Sequence, residues 1–93
     1  MPKTNSQNQS IKFFQFLARK GLLRDGVSML FTEDEFDDVA KRIAVLGFYK
    51  ANYSQRDIAE TVGVSLSFVT RTLARMRYAP DAVQSYAKTL ASK

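Results

Sequence analysis

The sequence predicts an all-α fold of five or six helices that includes a helix-turn-helix. Apolar residues recur at helical spacing along most of the 93 residues. Good N-cap residues stand before several of these stretches, and no stretch shows the strict alternation of a half-buried strand. Hydrophobic residues make up 45% of the chain and aromatic residues 12%, which is typical of one small folded domain and too rich for a disordered chain.

The N-terminal part predicts a polar arm followed by a helix. Residues 1–9 are polar and lack periodicity, so we expect a flexible arm there and a single domain over 10–93. A helix is predicted from Ser10 to about Leu23, with apolar residues on more than one side. Since one helix in a small monomer rarely buries two faces, this pattern indicates a partner subunit. An Asp-Gly pair at 25–26 predicts the turn that follows, with room for a short helical piece after it.

A long central helix is predicted to begin after Thr32. Thr32 and Glu35 have the spacing of a capping box, and the acidic residues around them lie at the positive end of the helix dipole. This location explains the acidic run without a catalytic role. The helix is expected to reach about Ala51, and Gly47 marks a point where another backbone comes close. Its expected buried face consists of Phe36, Val39, Ile43 and Leu46.

Two short helices around a glycine are predicted over 54–76. Ser54 can cap the first helix, Gly63 suits a left-handed turn, and Ser65 can cap the second helix. The residues expected to face inward where the two helices cross are Ile58, Ala59, Val62, Val69 and Leu73. This combination of small, glycine and apolar positions is typical of a helix-turn-helix. A generic helical hairpin is the alternative, but it needs only the apolar positions.

The C-terminal segment predicts one more helix. Pro80 fits its first turn, because the amide hydrogen that proline lacks has no partner there. The expected apolar face consists of Val83, Tyr86, Ala87 and Leu90.

The charge distribution indicates a nucleic-acid partner. The net charge is +5, and the residues from 47 onward hold seven Lys and Arg but only three acidic residues. We expect Ser67 and Thr70 to contact base edges and Leu66 to pack on a thymine methyl. The residues expected to reach phosphates are Gln55, Arg56, Arg75 and Arg77. Phe68 is expected to pack inside the protein. The predicted DNA-binding residues are Gln55, Arg56, Ser65, Leu66, Ser67, Thr70, Arg71, Arg75 and Arg77.

The composition also excludes several classes of function. The chain has no cysteine and no histidine, so disulfides, thiol nucleophiles and Cys/His zinc sites are excluded. We predict that the chain is not an enzyme and has no metal or membrane partner. The polar N-terminus and the lack of a long apolar run indicate a cytoplasmic protein.

The order of three segments resembles the tryptophan repressor family. They are "TEDEF…VAKRIAVL", "YSQRDIAETVGVSLSFVTRTL" and "YAPDAV", and the resemblance covers about 31–86. It implies an intertwined all-α homodimer that regulates transcription, as a repressor, from a palindromic operator in a bacterial, phage or plasmid system. It also implies a co-repressor pocket, with Thr32, Arg42 and Arg71 at the positions that would contact the ligand.

Two positions depart from the family pattern at this pocket. Thr72 stands where the family has a glycine, and Arg75 stands where a serine helps to hold the ligand amino group. Thr72 adds bulk where a flat ring should lie, and Arg75 repels a cationic amine. Tryptophan, another small molecule and no ligand at all therefore stay open as alternatives. Helix geometry turns Arg71 toward DNA, whereas the resemblance assigns it to the pocket.

A protein-interaction function is the alternative to DNA reading. The same fold can serve as a protein-interaction module, an anti-repressor or an adaptor that does not read DNA. Phe68 and Ala74, on or near the presumed DNA-facing surface, favour this alternative.

Overall fold

Six α-helices and no strands make up residues 5–91, the part of the chain that the computed structural model describes. The helices are α1 (Asn5–Arg19), α2 (Leu23–Leu30), α3 (Glu33–Lys50), α4 (Gln55–Val62), α5 (Leu66–Met76) and α6 (Asp81–Leu90). The all-α prediction is confirmed. Internal contacts divide the chain into two compact units, one up to Phe36 and one from Asp37 onward. The single domain over 10–93 stays a prediction.

Helix α1 begins at Asn5, so the predicted helix start at Ser10 was wrong. Residues 5–9 of the predicted arm are helical, and residues 1–4 lie outside the described residues. Ser10 lies inside the helix, and its hydroxyl donates to the Ser6 carbonyl one turn earlier, at 2.8 Å. The polar composition of residues 1–9 therefore did not indicate where α1 begins.

The turn after α1 lies at Gly21, not at the predicted Asp-Gly pair. Gly21 has a φ of +70°, which is the left-handed conformation that glycine adopts most easily. Asp25 and Gly26 lie inside α2 instead. Gly26 is buried, and a Cβ there would collide with the Leu17 side chain. This glycine therefore permits close packing of α2 on α1 and does not break the chain.

The second unit contains a core formed by α3, α4 and α5. Val45, Ile58, Val69 and Leu73 form its buried cluster, and partly buried Phe48, Ala59, Val62, Val64 and Phe68 pack against it. The inward-facing residues of the predicted hairpin are thus confirmed. The predicted buried face of α3 was wrong for Phe36 and Ile43, which are exposed, and was confirmed for Leu46, which is buried. Val39 is partly buried, and Val45, which was not predicted, is fully buried.

Helix α6 packs closely on α3 at Gly47. A Cβ built on Gly47 would lie 2.9 Å from the carbonyl oxygen of Ala87, so the expected close approach of another backbone is confirmed. Pro80 is the N-cap residue of α6, one position before the predicted first turn. Of the predicted apolar face only Ala87 is buried; Val83, Tyr86 and Leu90 are exposed.

None of the helices in residues 5–91 has the length and apolar character that crossing a bilayer requires.

Candidate nucleic-acid interface

The hairpin of α4 and α5 is fixed by its caps and its glycine turn. The Ser54 hydroxyl accepts from the Asp57 amide at 3.1 Å, and the Ser65 hydroxyl accepts from the Phe68 amide at 3.0 Å. Gly63 has a φ of +81° and ends α4 in the left-handed conformation. These contacts confirm both predicted caps and the predicted turn.

The crossing of the two helices depends on a small residue and two buried branched ones. Ile58 and Val69 are fully buried, and the partly buried Ala59 packs against the same cluster. The amides of Gly63 and Val64 both donate to the Ala59 carbonyl, at 2.9 and 3.0 Å. The chain therefore leaves α4 in one defined direction, which sets the angle at which α5 is presented.

The surface of the hairpin presents polar and basic side chains. Every residue of the predicted DNA-binding set is exposed, namely Gln55, Arg56, Ser65, Leu66, Ser67, Thr70, Arg71, Arg75 and Arg77. Phe68 is only partly exposed and packs against the core, as expected. The exposed face of α5 is therefore accessible to a partner, whereas most of the Phe68 side chain is packed against the core.

A hydrogen bond that the sequence did not predict joins the two helices at this surface. The Thr70 hydroxyl lies 3.1 Å from Gln55 Oε1 and 3.1 Å from the Leu66 carbonyl oxygen, and it can donate its one proton to either. The amide nitrogen of Gln55 makes no hydrogen bond within the described residues. When Thr70 donates to Gln55 Oε1, it orients the Gln55 side chain and leaves the amide nitrogen able to donate to another molecule.

One side of α5 borders a cleft of about 370 Å³ that also contains residues from α3 and α6. Lys50, Gln55, Thr70 and Arg77 line this cleft together with Gln84. The Arg77 guanidinium lies 5.0 Å from the centre of the Tyr78 ring. Lys50 was missing from the predicted set, because it ends a helix that precedes the hairpin in sequence and only the tertiary fold brings it here.

The other side of α5 borders a second pocket, of about 550 Å³, which we call the arginine pocket. It is lined by Arg42, Phe68, Arg71, Thr72, Ala74 and Arg75. Three of the four residues predicted for a ligand pocket, namely Arg42, Arg71 and Thr72, thus lie together. The fourth, Thr32, belongs to the first unit, where it caps α3. Its amide donates to Glu35 Oε1 at 2.9 Å, and its hydroxyl accepts from the Glu35 amide at 3.1 Å, which confirms the capping box.

The two assignments of Arg71 are compatible in this geometry. Arg71 is exposed on α5 and also lines the arginine pocket, whereas Thr72 next to it is buried. A side chain at the rim of a pocket can contact either a molecule inside the pocket or one outside it. Within residues 5–91 there is no group of three or more acidic side chains arranged to hold a metal ion.

Comparison with known protein families gives a match. The model of the family described as "Trp repressor protein" matches residues 8–91, which is nearly the whole chain and more than the span on which the resemblance rested. No curated protein and no solved structure matches the chain. Because this match covers more than half of the chain and includes the whole hairpin of α4 and α5, the chain belongs to the Trp repressor protein family of helix-turn-helix DNA-binding regulators.

Proposed function

We propose that the protein is a transcriptional repressor that binds a palindromic operator as a homodimer. The observation that carries this proposal is the exposed face of α5, which presents hydroxyl and guanidinium groups. This helix is the second one of a hairpin whose turn is formed by Gly63. A helix of 11 residues is about 16 Å long and can lie in the major groove of B-DNA. The function requires a location where DNA is accessible, so we also propose the cytoplasm of a bacterial cell, with the protein bound to the nucleoid.

Base recognition is proposed for the N-terminal part of α5. Ser67 and Thr70 carry hydroxyl groups that can donate or accept at base edges, and Leu66 is 47% exposed and suits contact with a thymine methyl. The hydroxyl of Thr70 supports this assignment, because a hydrogen bond to either Gln55 Oε1 or the Leu66 carbonyl oxygen restrains the Thr70 side chain before DNA arrives.

Phosphate contacts are proposed on both sides of α5. Gln55 and Arg56 begin α4, where the backbone amides and the positive end of the helix dipole also favour an anion. Arg77 and Lys50 line the cleft on one side, and Arg71 and Arg75 line the pocket on the other. Cations on both sides of a recognition helix match the two DNA strands that border a groove.

The homodimer is proposed from apolar surface that the single chain leaves exposed. Exposed large apolar side chains include Ile11, Phe13 and Phe16 on α1 and Val83 and Tyr86 on α6, and Tyr86 is 66% exposed. Among residues 5–91, more large apolar side chains are exposed than buried, and extensive exposed apolar surface is typical of a protein-interaction site. A second copy of the chain would cover such surface and would place two recognition helices on successive major grooves.

Selection of binding sites from random duplex DNA tests the proposal. The full chain should enrich a palindromic motif whose two halves are about one helical turn apart. Enrichment of no motif would favour a protein-interaction module. The exposed Leu66 and Ala74 on α5 support that second candidate, but the packing of Phe68 in the core removes the other residue that had favoured it.

A further inference from the structure

We infer that the arginine pocket binds a small organic molecule carrying a phosphate or diphosphate group, and that this ligand opposes DNA binding. The first half of the inference concerns the pocket alone. The second half rests on the proposed function, since it requires that Arg71 and Arg75 contact DNA phosphates.

The charge of the pocket determines the sign of its ligand. Arg42, Arg71 and Arg75 contribute three guanidinium groups, and none of the residues that line the pocket is acidic. A concave surface with a single sign of charge raises the local concentration of counter-ions. A ligand with two or more negative charges is therefore favoured over a neutral or zwitterionic one.

The three arginines are not neutralised within the described part of the chain. The salt bridge found among the described residues joins Lys41 to Asp37, at 3.0 Å, and does not involve the pocket. The guanidinium groups of Arg42, Arg71 and Arg75 make no hydrogen bond to the described residues. Guanidinium groups bind phosphate through paired N–H donors, and here those donors are available.

The neutral lining residues favour a ligand that has an organic part. Phe68 and Ala74 contribute apolar surface, and the buried Thr72 contributes the only hydroxyl-bearing side chain among the lining residues. The volume of about 550 Å³ lies within the range of small-molecule sites. A free amino acid is disfavoured in this pocket, because its ammonium group would lie near three guanidinium groups and no lining carboxylate offsets that repulsion.

Antagonism with DNA follows from the shared arginines. Arg71 and Arg75 lie one turn apart on α5, and both are exposed beside the proposed DNA-contacting surface. A phosphate group that bridges them to Arg42 on α3 occupies the donors that DNA would otherwise use. The ligand therefore removes phosphate contacts from the DNA complex and lowers its affinity.

Calorimetric titration of the full chain with pyrophosphate, without DNA and at constant ionic strength, tests the first half. We expect saturable binding, a loss of at least about tenfold in affinity for Arg42→Gln, and no loss for Arg19→Gln, which removes the same charge from the end of α1. L-tryptophan should show no binding. Equal loss in both variants, or tighter binding of L-tryptophan than of pyrophosphate, would overturn the inference.

Fluorescence anisotropy with the selected duplex tests the second half. Pyrophosphate at constant ionic strength should weaken DNA binding by the wild-type chain. In the Arg42→Gln variant, the fold-change in DNA affinity caused by pyrophosphate should be smaller. Pyrophosphate binding with unchanged DNA affinity would overturn the antagonism. DNA binding without pyrophosphate binding would overturn the pocket and leave the proposed function standing. Pyrophosphate binding without any selected DNA motif would overturn the proposed function and leave the pocket standing.

Discussion

Replacing Gly47 by alanine tests how α6 packs on α3. In an isolated helix this change would stabilise the protein by about 1 kcal/mol, because glycine is a poor helix former. In the folded chain the added Cβ would lie 2.9 Å from the Ala87 carbonyl oxygen, whereas ordinary contacts begin at 3.4 Å. The neighbouring atom belongs to backbone, so α6 itself must move. Overpacking of this kind costs about 1–3 kcal/mol.

The two effects oppose each other, and the steric one should be larger. We expect Gly47→Ala to lower the free energy of unfolding by about 1 kcal/mol, which corresponds to a decrease in Tm of about 4–8 °C for a chain of this size. Urea unfolding followed by circular dichroism, at one fixed protein concentration, measures the change. Ala40→Gly, at an exposed position of α3, reports the helix-propensity effect alone. A Gly47→Ala variant as stable as the wild type, or more stable, would refute the close packing of α6.

The turn, the cap of α3 and the exposed apolar surface each allow a further prediction. Gly63→Ala should lower the free energy of unfolding in urea by about 1–2 kcal/mol, because alanine is strained at a φ of +81°. No neighbouring atom lies within 4 Å of the added Cβ, so the cost comes from the backbone alone, and an unchanged midpoint would contradict the left-handed turn. Thr32→Ala should cost about 1 kcal/mol by removing the N-cap of α3, while Thr32→Ser should retain most of the stability; equal losses would argue against the cap. Sedimentation velocity at micromolar concentration should give a dimer, and a monomer would contradict the homodimer.

The caps and the turn of the hairpin could be predicted because they are local. Ser54, Gly63 and Ser65 act on backbone groups within a few residues, so their spacing in the sequence is enough to identify them. The inward positions of α4 and α5 follow from the helical period in the same way.

The features that sequence reasoning missed depend on contacts between distant residues. Gly26 and Gly21 are both possible turn residues in the sequence, and only the packing of Leu17 shows that Gly26 lies inside a helix. The bond from Thr70 to Gln55 spans 15 positions and cannot be inferred from either helix alone. The buried face of α3 was only partly predicted, because apolar residues occur on all sides of this helix and the helical period alone does not select one side. Ile43, for example, is exposed in the single chain.

The pocket residues could be identified from the family resemblance, but their closeness in space could not be predicted from the sequence. The resemblance identified Arg42, Arg71 and Thr72, and the fold brings these three together on the walls of one pocket. Their spacing along the chain could not indicate this, since Arg42 lies on α3 and the other two lie on α5. The role of these residues in binding a ligand stays a prediction that the pyrophosphate titration will test.

The central claim is that the hairpin reads DNA, and salt-dependent anisotropy on the selected duplex and a scrambled duplex tests it most directly. Arg56→Gln should weaken binding to both duplexes by a similar factor and should reduce the salt slope by about one, because it removes one cation from the DNA phosphates. Thr70→Val should cost about 1–3 kcal/mol on the selected duplex and little on the scrambled one. Wild-type affinity for the selected duplex in both variants would contradict the assignment of this surface to DNA.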